Sequence, residues 1–511
     1  MIGVRSVAEV RAAEEAAFAV TPEGTLMQRA ATGLAVTVAS LLEQARGGVV
    51  GSRVVVLVGS GNNGGDALWA GAMLARRGCR VDAVTLGQRW HGEGAYALER
   101  AGGRLRPWSA DDAGIEAVVG AADVAIDGIL GIGGTGALRD DAVALVGLVA
   151  QSDALVVAVD VPSGVDADTG AVTGAAVHAD VTVTFGALKP GLIVAPGSLN
   201  CGATVLIDIG LEFAAPPSVR IVESLDVALH VPEPAPDAYK YRRGVVGVSA
   251  GSGAYPGAAL LAAGSARRAN VGMTRFLDRS DGVGATVVTA FPDIVVDGTA
   301  PAAQSRVDAW ACGPGFPGND GDDATVSAVL AAPVPVILDA GSLSVVARSE
   351  VVRDAIGQRA SDGRPTVLTP HEGEFERIWP GLLASSTGRL EAAREAARTV
   401  GAIVVLKGPG TVVAAPDGSA CLDTEGTSDL GAAGSGDVLT GLVAALLAGA
   451  WAHGRRTVDE ALDAVASAVW LHGRAGRIAA HRGPVVATDL IEALPEAIRV
   501  ARFGDDADIG P

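Results

Sequence analysis

Along residues 53–210, short apolar runs alternate with Ala-rich stretches of helical spacing. The runs are RVVVLVG (53–59), CRVDAVTL (79–86), VAIDGIL (124–130), LVVAVDV (155–161), VTVTFG (181–186) and TVLIDIG (204–210). They are β-branched and show little in–out alternation. A strand that is apolar on both sides is covered on both faces, which is the situation of a strand in a parallel sheet flanked by helices. Residues before 53, with Ala, Leu and Val at helical spacing, predict helices. A second series follows the proline-rich VPEPAPDAYK (231–240): GVVGVSAG (244–251), TVVTAF (286–291), DAWACG (308–313), PVILDAG (335–341), TVLTP (366–370) and IVVLKG (403–408). Helices are expected over 257–270, 322–332, 387–400, 436–450 and 458–480. Proline lacks an N–H and restrains its predecessor, so the break between the two series reads as a linker or extended arm. The pattern therefore predicts two α/β domains, 1–215 and 241–505, joined through 216–240.

Composition supports this division. A chain of 511 residues is too long for one ordinary core, and 49% hydrophobic residues are enough to bury two. The 69 glycines lie largely at the ends of apolar runs, where turns and ligand loops belong. A net charge of −19 without a basic stripe excludes a nucleic-acid partner. Cys79, Cys201, Cys312 and Cys421 are too scattered for a zinc knuckle or a disulfide framework. The N-terminus carries charges where a secretion signal needs an apolar core. The longest apolar run, Val438–Ala452, is shorter than a membrane span and contains Thr and Gly. No membrane partner is expected, and the cytoplasm is the expected compartment. Among 39 basic residues only Lys189, Lys240 and Lys407 are lysines. Arg cannot imitate a compact ammonium, so these positions call for attention.

GSGNNGGD (59–66) joins a strand to a helix. Glycines let backbone N–H groups approach an anion at a helix start, and the Asn62-Asn63 pair and Asp66 add polar groups to an otherwise ordinary glycine turn. AIDGILGIGGTG (125–136) and VDVPSGVDADTG (159–170) bring Asp127, Asp160, Ser163 and Asp166 to the ends of two further strands. One such Asp is more often a turn cap than a ligand. Three consecutive loops of this kind predict a single crevice, and hard oxygens suit an alkali or alkaline-earth cation. In the second half, GAAGSGDVLTG (431–441) runs into an apolar helix with Asp437 in its first turn, where the residue is either a cap or a base. VLKGPGT (405–411) sets Lys407 beside a glycine turn. TPHEGEF (369–375) places His371, Glu372 and Glu374 after a strand, and GPG (313–315) ends another.

Residues 1–215, through LMQRA (26–30), NNGGD, DGILGIG, VDVPSG and FGALKPG (185–191), resemble the NAD(P)H-hydrate epimerase family. The resemblance implies a Rossmann-like parallel sheet. It also implies contacts to a hydrated nicotinamide nucleotide from Asn62, Asn63, Gly64, Gly65 and Asp66, from Gly131, Ile132, Gly133, Gly134, Thr135, Gly136 and Ala137, and from Asp160. A potassium ion would be held by Asn63, Asp127 and Ser163. The implied reaction inverts carbon 6 of the ring through an iminium ion, with Asp160 expected as the acid/base. Ala67 stands where the family usually has Gly, which matters only if that residue needs φ > 0.

Residues 230–500 resemble the ADP-dependent NAD(P)H-hydrate dehydratase family, of ribokinase-like fold, through YKYRRGVVGVSAGSGAYPGAALLAA (239–263), GPG, TPHEGEFERI, LKGPGT and GSGDVLTG. The resemblance implies that Ala258, Gly315, His371 and Asp437 contact the hydrated nucleotide. It assigns AMP or ADP to Lys407, Gly408, Pro409, Gly410, Thr411 and Gly436. Asp437 would deprotonate the ring hydroxyl for phosphorylation by ADP, with magnesium accompanying the nucleotide. DAGSL (339–343) departs from the family's usual Asp at its third place, so any role carried at Gly341 is in doubt. The expected partners are the hydrates of NADH and NADPH together with ADP, and a homo-oligomer is the expected state. The rivals are a small-molecule kinase of ribokinase-like fold with a non-catalytic first domain, and a binding protein whose halves are inactive.

Overall fold

The computed structural model describes residues 1–134, 136–231, 233–279, 282–298 and 306–504. The chain divides into two compact units. One is Gly3–Pro217, and the other is Ser218–Pro511 together with Met1–Ile2.

The first unit holds a seven-stranded sheet. Its strands are β1 (Arg53–Val58), β2 (Arg80–Thr85), β3 (Arg104–Pro107), β4 (Val124–Gly128), β5 (Leu155–Val159), β6 (Val181–Phe185) and β7 (Ala203–Ile207). Edge to edge the order is β3-β2-β1-β4-β5-β6-β7, and every pairing is parallel. Helices Thr25–Arg46 and Asn62–Arg76 cover one face, where Leu34, Val38, Leu42, Leu68 and Leu74 are buried against Val54, Val56 and Val58. Leu145, Val149 and Ile115 cover the other against Val55, Leu57 and Ala125. The six strands expected from apolar runs are present. Strand β3 was not expected, because its RLRP sequence is half charged, as an exposed edge position permits. The strand order reverses between β1 and β4. Loops leaving the carboxyl ends of those neighbours diverge to opposite faces and open a crevice there.

The second unit repeats the principle with different topology. Its strands are β8 (Val219–Ile221), β9 (Val245–Ser249), β10 (Met273–Leu277), β11 (Val295–Asp297), β12 (Ala309–Cys312), β13 (Val336–Leu338), β14 (Thr366–Leu368), β15 (Ile403–Leu406), β16 (Val412–Ala414) and β17 (Ala420–Leu422). The order β8-β17-β16-β15-β14-β13-β12-β9-β10-β11 is parallel except where the β15-β16-β17 meander turns back on itself. Its reversal point lies between β9 and β12.

Three expectations are corrected here. TVVTAF (286–291) is not a strand, since Val283–Ala290 is a helix that buries Val283, Gly284 and Val287 along one side. Its β-branched composition loses to tertiary packing. The segment 216–240 is more than a linker: β8 pairs with β17, and Ser224–Ala228 is a short helix with Val227 fully buried, so the second unit begins at Ser218 rather than 241. The apolar run at 438–452 belongs to an 18-residue helix, Ser435–Ala452, which by length and composition could cross a membrane. Instead, 72% of it is buried inside the unit, against helices Pro256–Arg268 and Val458–Ala480.

That helix approaches its neighbour at Gly441, where an added Cβ would lie 2.0 Å from the Ala262 carbonyl oxygen and 2.3 Å from Ser265 Oγ. Backbone cannot step aside as a side-chain tip can. Gly441→Ala is therefore expected to destabilise the second unit by about 1–3 kcal/mol, despite alanine's better helix propensity. The measurement is the urea midpoint followed by circular dichroism. An unchanged midpoint would show that the two helices separate without cost.

Candidate active sites

The crevice at the β1/β4 reversal is a cavity of about 630 Å³. Asn62, Asn63 and Asp66 line it from the first turn of helix Asn62–Arg76, Gly131 to Gly134 from the loop after β4, and Asp160 from the end of β5. Three loops expected to form one crevice thus meet. Gly64 and Gly65 serve packing instead of lining the cavity. A Cβ at Gly64 would lie 2.3 Å from the Gly59 carbonyl oxygen, and one at Gly65 would lie 2.9 Å from Met27 Cε. Gly59, Gly61 and Gly64 keep the literal G-x-G-x-x-G spacing of a dinucleotide-binding turn, with the asparagine pair at its two variable places. Gly136 lies beside a smaller adjoining cavity, Ala137 is exposed, and Thr135 lies outside the described residues. Ala67 sits inside the helix, fully buried and without positive φ, so its methyl is accommodated.

Behind the cavity wall, Asp127 is fully buried. Its Oδ1 accepts from Ser163 Oγ (2.7 Å) and the Ile129 N–H (3.2 Å), and its Oδ2 accepts from the Ser163 N–H (2.8 Å). Leu130 N–H donates to Ser163 Oγ (2.9 Å), and Asn63 Nδ2 donates to the Leu130 carbonyl (2.9 Å). Burial pushes the Asp127 carboxyl up to about 6, with the hydrogen bonds from Ser163 and Ile129 pulling the other way. Asn63, Asp127, Ser163 and the Leu130 carbonyl thus form a connected set of hard oxygens around one carboxylate to which, among the described residues, no cationic side chain is bonded.

Asp160 is arranged differently. It has φ +66°, unusual for a residue other than glycine. Its Oδ1 accepts from Lys189 Nζ (2.6 Å) and Thr184 Oγ1 (3.1 Å), and Lys189 also donates to Thr184 Oγ1 (2.9 Å) and the Phe185 carbonyl (3.0 Å). Lys189 is only 1% exposed. Such a lysine is tolerable only because every donor direction finds an acceptor. The site also recruits residues the sequence reading missed: Arg11 and Glu14 from helix Val7–Phe18, together with Trp69 and His91. Nothing in an ordinary amphipathic helix marks Arg11 or Glu14 as site residues.

In the second unit, helix Ser435–Ala452 starts after Gly434 in the left-handed region (φ +86°), with Asp437 in its first turn. Ser435 is held from below by the buried His472, whose Nε2 lies 3.1 Å from Ser435 Oγ and 3.0 Å from its carbonyl oxygen. Burial lowers the His472 pKa to about 4, so it is a neutral brace. Asp339, 1% exposed, accepts from Lys407 Nζ (3.0 Å) and Thr440 Oγ1 (2.6 Å). Glu374 lies 4.0 Å from the same ammonium. A Cβ at Gly436 would stand 3.2 Å from Lys407 Nζ, so the lysine reaches the helix start through the space a side chain would fill. Burial pushes the Asp437 carboxyl up to about 7; Asp339 and Glu374 add to the rise and Lys407 opposes it.

The remaining expected residues divide by role. His371 caps helix Glu372–Ile378: its Nδ1 accepts from the Gly373 N–H (3.0 Å), and Glu374 returns the bond to the His371 N–H (2.9 Å). Ala258 and Gly315 meet at the β9/β12 reversal, where a Cβ on Gly315 would lie 2.7 Å from Ala258 Cβ. The loop from Lys407 through Gly408, Pro409 and Gly410 to Thr411 is pinned by Lys407 N–H to the Pro370 carbonyl (2.9 Å) and by Thr411 Oγ1 to the Gly408 carbonyl (3.0 Å). Arg389 donates to the Lys407 carbonyl (3.1 Å). Gly341 has no room for a side chain, because a Cβ there would lie 2.4 Å from the Phe316 carbonyl oxygen. The carboxylate absent at 341 is therefore not missing from a waiting slot. Asp339, two residues earlier, is the acid that faces the site.

Residues 246–496 match the family described as NAD(P)H-hydrate dehydratase, and residues 23–191 match the family described as YjeF-related protein N-terminus. A bifunctional NAD(P)H-hydrate repair enzyme of Mycobacterium tuberculosis is 44% identical over 444 residues, covering 87% of this chain and 88% of its own. The corresponding enzyme of Mycobacterium leprae is 42% identical over 486 residues, covering 94% of each chain. Among solved structures, an ADP/ATP-dependent NAD(P)H-hydrate dehydratase from Bacillus subtilis, co-crystallised with ATP and Mg²⁺, aligns with a TM-score of 0.47 at 30% identity, over 55% of this chain and 99% of that one. With both halves matched in order and the mycobacterial relatives matched along most of their length, the chain belongs to the family of bifunctional NAD(P)H-hydrate repair enzymes.

Proposed function

We propose that the chain repairs hydrated NADH and NADPH in two steps. The first unit interconverts the R and S epimers, and the second unit dehydrates the S form at the expense of ADP, giving AMP and phosphate. The observation that carries the reading is Asp437, a carboxylate raised to about 7 in the first turn of a helix whose N-terminal N–H groups can hold phosphate. In this reading Asp437 removes the proton from the ring hydroxyl. The freed oxygen attacks the terminal phosphorus of ADP, and AMP departs. The ring nitrogen then expels phosphate, and loss of a proton from the neighbouring carbon restores the double bond. Lys407 and the Gly408–Thr411 loop hold the nucleotide's phosphates, while Ala258, Gly315 and His371 contact the hydrate. Magnesium would enter with ADP and neutralise its phosphate oxygens.

In the first unit, Asn62, Asn63, Asp66, Gly131 to Gly134 and Asp160 would hold the hydrated nucleotide. Potassium fits Asn63, Asp127 and Ser163, since these are oxygen donors with a single negative charge and, among the described residues, no cationic side chain is bonded to the buried carboxylate. The cytoplasm is the proposed compartment and a homo-oligomer the proposed assembly. The direct experiment incubates pure protein with mixed hydrate epimers, with and without ADP, and follows the absorbance of the restored ring. Accumulation of a stable phosphorylated product in place of released phosphate would favour a kinase.

Two further outcomes are expected. A base must be ionised, so kcat/KM for dehydration should fall about tenfold per pH unit below about 7. Asp339→Asn removes the neighbouring negative charge that raises Asp437, and should move this inflection to lower pH. Asp437→Asn should lower turnover on the order of a hundred to ten thousand-fold at an unchanged melting temperature. Near-normal turnover would return the residue to a capping role, because Asn caps as well as Asp.

The second outcome concerns potassium. Asp127→Asn keeps the volume of the side chain and removes its charge. It should raise the potassium concentration needed for half-maximal epimerisation on the order of 10–100-fold, while dehydration of the S epimer is unchanged. Epimerisation that ignores potassium in the unaltered chain would argue against the site.

A further inference from the structure

Five carboxylates line the epimerase cavity; Glu23 and Glu93 are exposed, and the other three, Glu14, Asp66 and Asp160, are not equivalent. Asp160 Oδ1 is bound to the Lys189 ammonium and the Thr184 hydroxyl, inside a pocket that leaves Lys189 1% exposed. Two donors already hold that oxygen in place. Asp66, only 9% exposed, and Glu14 also line the cavity, and among the described residues no hydrogen bond or ion pair reaches either carboxyl group. They enter from different elements, Glu14 from helix Val7–Phe18 and Asp66 from helix Asn62–Arg76. Inversion at a ring carbon needs proton transfer at both faces of the ring, because the hydroxyl leaves one face and water adds to the other.

On the reading of the first unit as an epimerase, we propose that Asp66 and Glu14 are its proton-transferring pair, and that Asp160 is a fixed anion which stabilises the cationic ring without moving a proton. Asp66 as the acid gives its proton to the carbon-6 hydroxyl. The C–O bond breaks, its electron pair leaves with the oxygen as water, and the ring nitrogen's lone pair closes the iminium bond. Water then adds to carbon 6 from the opposite face, the C=N electrons return to nitrogen, and the proton lost by the adding water passes to the Glu14 carboxylate. In the reverse direction the two residues exchange roles. Proton exchange with solvent in the open cavity resets the pair, so no oxidant or co-reactant is consumed.

The electrostatics agree with the geometry. Burial raises the Asp66 pKa well above the usual carboxylate range, with Asp160 and Glu14 adding to it. Burial also raises Glu14, with Asp160 adding and Lys189 and Arg11 opposing. Both groups therefore keep a proton available closer to neutral pH than an exposed carboxylate would.

The test uses the full chain with mixed R and S NADH hydrates. Epimer interconversion is measured above the spontaneous rate, and ADP-driven consumption of the S epimer serves as an internal control for folding. Asp66→Asn and Glu14→Gln are each expected to lower kcat for interconversion on the order of a hundred to ten thousand-fold. S-epimer dehydration should stay within about threefold of the unaltered chain, because both residues belong to the first unit. Asp160→Asn should retain more interconversion than either. If Asp66→Asn interconverts epimers within about threefold of the unaltered chain, or if Asp160→Asn alone abolishes kcat, the pair is wrong while the epimerase reading stands. If the unaltered chain interconverts nothing above the spontaneous rate, the epimerase reading falls and this assignment with it.

Discussion

A parallel sheet covered by helices on both faces has nowhere inside it for polar chemistry, so that chemistry is displaced to the strands' carboxyl ends. Both units obey this constraint. Val54 to Val58 and Val245, Val246 and Val248 are at most 2% exposed, and polar groups gather at the carboxyl ends, where Ser249 closes β9 and Ser60, Asn62 and Asn63 follow β1. Each loop runs toward a helix whose first N–H groups lack intrahelical acceptors. The reversal of strand order, at β1/β4 in one unit and β9/β12 in the other, separates the loops and leaves space between them. Site position, glycine content and anion affinity follow from this one requirement.

A second regularity is electrostatic. Each site contains a lysine bonded to one aspartate, Lys189 to Asp160 and Lys407 to Asp339. Each also holds another aspartate, Asp66 or Asp437, to which no cation is bonded among the described residues and whose pKa is raised chiefly by burial. The paired aspartate adds to that rise through its own negative charge. A site organised in this way ties one carboxylate to a cation and leaves the other with a raised proton affinity. It also accounts for two of the three lysines in a chain that otherwise uses arginine. A compact ammonium fits the space beside Gly436 or among Asp160, Thr184 and the Phe185 carbonyl, where a planar guanidinium would need a wider opening.

Much of this was legible in the sequence. Apolar runs without alternation revealed most strands, because burial on both faces is a strong and local constraint. The glycine turns and their polar neighbours marked the loops that carry the sites. Short strands such as β16 and β17, three residues each, left too little periodicity to read, and the helix Val283–Ala290 overrode its own β-branched composition.

The sequence by itself determined that the chain forms two α/β layers with ligand loops at strand ends, and that motifs such as NNGGD and GSGD lie at helix starts, since these follow from neighbouring residues along the chain. Only the tertiary structure decided which charges meet. Lys189 and Asp160 are 29 positions apart and Lys407 and Asp339 are 68, while Glu14 reaches the cavity from a helix with no motif at all. The proton affinity of a carboxylate depends on burial and on the charges facing it. Both are properties of packing between distant segments, and no local pattern records them.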